Sequence, residues 1–194
     1  MVTGILLVGL AVACRLLSPV YHTWNLVPAG AVALYAGSRL PRKWAWVVPL
    51  AAMFVSDLFL VDSSRYPFFG LTRWTVYGTL AATTLMGWIA RSPRFRAWML
   101  PAMSLFASSL FFVTTNFSTW AEGQEYPLTW SGLATCYVMA IPFFWNTLVA
   151  DLLGTCVLFG LGSVFERAAA RVSRAWSNRE TVKELEPVEL SEVA

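Results

Sequence analysis

The chain has 194 residues, of which 57% are hydrophobic and 13% charged, with ten tryptophans and a net charge of +3. A water-soluble domain carries about a quarter charged residues, so this composition points to an all-α, polytopic membrane helix bundle and away from nucleic-acid binding. Cys14, Cys136 and Cys156 lie in or beside apolar segments without metal or redox spacing, and read as small packing residues.

The first apolar span, Val2 to Leu17, resembles a secretion signal, and the run ending at Cys14 resembles a lipoprotein cleavage site. No lysine or arginine precedes it, so the expected reading is a retained helix. Span two, Val27 to Gly37, is short: about 11 residues rise about 17 Å against a hydrocarbon core of about 30 Å. It therefore starts within the membrane or is flanked by buried loop, with Pro28 suited to a first helical turn. Ala29, Ala33 and Gly37 repeat every four residues, a small-residue stripe for close helix approach, either inside the bundle or against a partner.

Span three is expected over Trp44 to Val61, span four over Arg73 to Ala90, and span five over Ala97 to Asn116. Trp130 to Ala140 is too short to cross and is followed by Pro142, which predicts a re-entrant or surface-lying piece. Span six is expected over Phe143 to Phe165. Residues 1–170 then form one transmembrane domain, and 171–194 a cytoplasmic tail that ends a helix and continues as disorder.

The loops alternate in charge. Arg39, Arg42 and Lys43 follow span two; Arg91, Arg94 and Arg96 follow span four; Arg167, Arg171, Arg174, Arg179 and Lys183 follow span six. The other side carries only Arg15, Arg65 and Arg73. By the positive-inside rule, both termini are expected to be cytoplasmic.

Polar residues gather toward the outer side: His22, Trp24 and Asn25 in the first loop, Tyr77 near the third, Asn116 and Trp120 near the fifth, with Tyr137 and Asn146 beyond. Interfacial aromatics alone are anchors, but aromatics joined by amides, a histidine and carboxylates suit a planar ligand. Asp57 and Asp151 are the two carboxylates inside spans, where an ionised group costs about 3 kcal/mol on insertion scales unless partnered. Asp57 is expected to orient the ligand, and Asp151 to be structural or proton-linked, accepting from Thr147 or from a neighbouring helix. Five residues rotate a helix by about 140°, so Asn146 and Asp151 do not both face one cavity. No H-E-x-x-H, G-x-S-x-G or glycine-rich phosphate loop occurs, and Val55-Ser56-Asp57-Leu58 lacks the Gly-x-Gly-Asp of intramembrane aspartyl proteases. The expectation is a protein without catalytic residues, metal ligands or a bound cofactor.

Several blocks carry a resemblance: Asn25-Leu26-Val27-Pro28-Ala29-Gly30-Ala31, Ser56-Asp57-Leu58, Thr115-Asn116-Phe117 with Trp120, Tyr126-Pro127-Leu128-Thr129, and Ala140-Ile141-Pro142-Phe143-Phe144-Trp145-Asn146-Thr147-Leu148 with Ala150-Asp151-Leu152. Through these the chain resembles an uncharacterised bacterial six-helix membrane family, which is similar in layout to the substrate-binding S components of energy-coupling factor transporters. The resemblance implies capture of a vitamin-like molecule, cobalamin among the candidates, at an outward-facing pocket. It also implies association with a membrane scaffold and ATPase subunits through the Ala29, Ala33 and Gly37 face. Relatives that handle cobalamin use a cysteine near the third loop, and this chain has none between Leu60 and Val76. The rival expectations are a proton-coupled carrier working alone on Asp57 or Asp151, and an accessory membrane protein without cargo.

Overall fold

The computed structural model describes residues 2–21, 25–60, 70–92 and 94–189, with side chains over 4–21, 25–60, 70–92 and 94–164. Six α-helices and one 3-10 turn make up the described chain, and no strand occurs among the described residues. The helices are α1 (Val2–Val20), α2 (Ala29–Arg39), α3 (Arg42–Leu60), α4 (Leu71–Ile89), α5 (Leu100–Ala121, entered through Ala97–Met99) and α6 (Trp130–Glu189). Residues up to Leu158 form one compact unit, and Phe159–Ala194 a second that begins inside α6.

Proline and small polar residues set the helix ends. Leu40 precedes Pro41 and is extended (φ −86°, ψ 152°), which stops α2. Pro101 occupies the first turn of α5, where its missing N–H costs nothing. Gly123 follows the end of α5 in the left-handed region at φ +67°, a conformation that suits glycine. Thr129 opens α6 by accepting from Gly132 N through Oγ1 at 3.1 Å.

The segment Trp130 to Ala140 does not stand apart. It is the first part of α6, which runs on through Pro142. The proline forfeits one backbone bond, whereas ending the helix there would strip several carbonyls and amides of partners in an apolar surrounding. The helical backbone continues through 171–189, the stretch expected to end a helix and continue as disorder, which is rich in arginine and glutamate. The rest of that predicted tail, 190–194, lies outside the described residues.

Among the described residues, three segments are long and apolar enough to cross a membrane: Arg42–Leu60, Ala97–Ala121 and Trp130–Val164. Gly4–Val20 is apolar but shorter. In the first unit, residues sort by size and polarity in the reverse of a water-soluble fold. Ser56, Thr84 and Ser108 are wholly buried, while Phe59 and Trp98 are more than 70% exposed. The buried hydroxyls bond backward along their own helices, Ser56 to Ala52 O at 2.8 Å and Thr84 to Leu80 O at 2.9 Å, so burial leaves them satisfied. An interior of small and hydroxylated residues beneath a shell of large apolar ones is the arrangement an apolar solvent selects.

Helix α2 is the centre of this packing, with Ala31 to Ser38 all buried. The stripe meets α4: a Cβ on Gly37 would collide with Thr84 O, and a Cβ on Gly87 would collide with Leu34 O. The two backbones touch because both positions are glycine. Of the two readings of this stripe, inside the bundle or against a partner, Ala33 and Gly37 take the first, and Ala29 packs on the Ala33, Met53 and Leu80 cluster.

Candidate functional site

Two adjoining cavities lie within the first unit, of about 310 Å³ and about 90 Å³. Arg15, Asn25, Met53, Phe111 and Thr147 line both. Their walls come mostly from the C-terminal halves of α1, α3 and α5 and the N-terminal halves of α2, α4 and α6, with Thr83, Ala107 and Ser108 nearer the middle of the bundle. That is the end of the bundle opposite Arg39, Arg42 and Arg91. The larger cavity adds the aromatic faces of Phe112, Phe143 and Phe144 and the neutral polar groups of Thr72, Thr115 and Asn116. Phe112 and Phe144 pack at 4.7 Å between ring centroids.

A charged cluster stands behind this wall. Arg15 Nη2 pairs with Asp57 Oδ1 at 2.9 Å, and Arg15 Nη1 donates to Met53 Sδ at 2.7 Å. Asp57 Oδ2 receives Tyr77 OH at 3.1 Å and faces Arg73 Nε at 3.5 Å. Asp57 is buried, and neither it nor Tyr77 reaches either cavity. Both were expected to contact ligand; in this structure Asp57 pairs with Arg15, and Tyr77 donates to Asp57. Arg15 is the residue that the charge pattern alone undervalued. Its signal was available, since an arginine inside an apolar helix demands an acidic partner, and Asp57 was the nearest candidate inside a span.

Asp151 has a different task. Its Oδ1 receives Ala31 N at 3.0 Å and its Oδ2 receives Ser108 Oγ at 2.8 Å. The Gly30 amide also donates to it. These amides belong to the first turn of α2, which carries no cap from its own sequence. A helix that starts inside an apolar region needs acceptors for its first amides, and its positive dipole end favours a carboxylate. Asp151 supplies that cap from α6. Gly30 allows the approach, since a Cβ there would lie 2.5 Å from Asp151 Oδ2. At the other end of α2, Arg91 donates Nε to Gly37 O at 2.7 Å and Nη2 to Leu40 O. The central helix is therefore capped at both ends by residues of other segments, with charges that match its dipole.

The remaining predicted residues divide between wall and support. Asn25 and Asn116 line the larger cavity, and Asn116 Nδ2 donates to Phe112 O at 2.7 Å. Asn25 sits in the left-handed region at φ +61°, and its carbonyl accepts from Thr147 Oγ1 at 3.4 Å. Trp120 Nε1 ties the loop after α5 through Pro127 O at 3.0 Å. Tyr137 OH donates to Val113 O at 2.7 Å, and its ring braces Phe112 from behind. Asn146 is half-buried and off both walls, whereas Asp151 lines the smaller cavity, as their rotation around α6 dictates. His22, Trp24 and the third loop, residues 61–69, lie outside the described residues.

Phe111, Thr72 and Ser108 are wall or contact residues that sequence reasoning passed over. They are ordinary apolar or hydroxylated helix residues, and only the packing of helices turns them inward. No curated protein and no solved structure matches the chain. The model of a family of unknown function (DUF6580) matches residues 1–175, and the chain belongs to that family.

Proposed function

We propose that the protein is a membrane-embedded capture subunit, which takes up a small molecule at an outward-facing pocket and passes it toward the cytoplasm unchanged. The observation that carries this reading is the cavity of about 310 Å³, which combines aromatic faces with neutral hydrogen-bonding groups at the end away from the basic loops. Small-molecule sites are commonly about 300 to 1,000 Å³ and mostly apolar with a few directed polar groups. A volume at the bottom of that range favours a ligand well below the size of cobalamin. In this reading the chain sits in a bacterial inner membrane with both termini cytoplasmic. An energising scaffold and ATPase pair, as in energy-coupling factor transporters, is the partner that the layout suggests.

The carrier and accessory alternatives draw less support. Asp57 and Asp151 each have both carboxylate oxygens engaged, which is the posture of structural groups rather than of a proton-exchanging one. An accessory protein needs no cavity, and the aromatics leave this one open. The test is native mass spectrometry of the detergent-purified protein, followed by organic extraction. A vitamin-sized molecule that co-purifies, and is lost in Asn116→Ala at equal membrane expression, supports capture. Consistently empty protein after growth in rich medium argues for the carrier or accessory function.

A further inference from the structure

Arg15 is the one charged residue on the wall of the larger cavity among the described residues. The carboxylates nearby are turned to other donors: Asp57 to Arg15, Arg73 and Tyr77, Asp151 to Ala31 N and Ser108, and Glu122 to Thr72 N at 2.8 Å. The arginine is less well served. A guanidinium carries five N–H donors, and the partner of Arg15 Nη1 is the thioether of Met53, a weak acceptor for a charged donor. Both Arg15 and Met53 stand at the seam shared by the two cavities. A poorly matched cationic donor therefore lines an open space, and its second nitrogen is held in place by Asp57.

We propose that Arg15 anchors the captured molecule and that this molecule carries a carboxylate. This rests on the capture reading above. The carboxylate takes the place of Met53 Sδ at Nη1, while Asp57 and Tyr77 keep the guanidinium oriented as positioning residues. The organic body lies between Phe111, Phe112 and Phe144, with Asn116 and Thr115 meeting its polar edge. A carboxylate suits the site better than a phosphate. A phosphate brings up to about two charges and three strong acceptor oxygens, for which one arginine is a poor complement. The helix N-termini that bind phosphate elsewhere are taken, that of α2 by Asp151 and that of α4 by Glu122.

The probe is a small-molecule extract of cells, applied to the purified full-length protein in three forms: untreated, amidated with carbodiimide and methylamine, and phosphatase-treated. Bound material is then eluted in organic solvent and weighed by mass spectrometry. The expected result is a species retained from the untreated and phosphatase-treated extracts and absent after amidation. Arg15→Gln should retain about tenfold less or lower. The double variant Arg15→Gln with Asp57→Asn removes both charges together and should show the same loss while remaining monodisperse on size exclusion. A species retained equally from the amidated extract overturns the carboxylate assignment and leaves capture standing. Loss on phosphatase treatment overturns it in favour of a phosphate ester. Retention of nothing from any extract overturns capture itself, and the anchor with it.

Discussion

Residues that sequence logic groups together as polar and intramembrane do different work. Asp57 is one partner of an ion pair that orients a wall residue, whereas Asp151 is a helix cap supplied from another helix. The distinction has consequences. Asp151→Ala leaves the first amides of α2 without acceptors, each at about 1–3 kcal/mol when buried, while the Ser108 hydroxyl keeps the Ser104 carbonyl at 3.1 Å. The variant should unfold at a clearly lower temperature in detergent, and Asp151→Asn, which keeps one acceptor oxygen, should lie between it and the unaltered protein. Thermal unfolding followed by size-exclusion fluorescence reads this, and an Asp151→Ala protein as stable as the parent would remove the capping role. For Asp57, the informative comparison is Asp57→Asn alone against Asp57→Asn with Arg15→Gln. Stranding Arg15 should cost more than removing both members, because an unpaired charge in an apolar surrounding is worse than none.

Among the helices, α2 decides whether the bundle closes. It is short, buried along most of its length, and pressed against α4 at two glycines. Gly37→Val places a branched side chain where the backbone of α4 already lies, so the helices must separate, an overpacking cost of about 1–3 kcal/mol or more. Gly9→Val should be silent by comparison, since nothing lies within 4 Å of a Cβ there. Equal melting temperatures for the two variants would contradict the close approach. Arg91→Ala should cost about 1 kcal/mol by freeing the last carbonyls of α2, with Arg91→Lys restoring part of it.

For the whole molecule, the alternation of basic and cation-free loops implies a defined orientation. In a chain with its three cysteines replaced, single cysteines at Arg94 and at Glu125 should react with a membrane-impermeant maleimide from opposite faces of intact spheroplasts. Labelling of both from the same face would overturn the six-span arrangement and with it the outward-facing position of the cavity. The stripe at Ala29, Ala33 and Gly37 shows what layout alone leaves open at this scale. The pattern identifies a surface for close packing, but the choice between an internal and an external neighbour depends on where α4 comes to lie.

The sequence by itself determined the helical class, the segments that pack as helices, and the end of the bundle at which polar groups collect. An apolar solvent forces each backbone to satisfy its own hydrogen bonds and leaves hydropathy and loop charge as local, readable signals. The extent of α6 escaped that logic, because a proline inside a long helix costs one bond and its local signature is the same as that of a break. Which polar residues face the cavity and which lock one another was decided by tertiary structure alone. Asp151 caps a helix whose first amides lie 120 residues earlier, and Arg15 rests on a methionine 38 residues away. Such pairings arise from the rotation and approach of packed helices, which the order of residues along one helix does not specify.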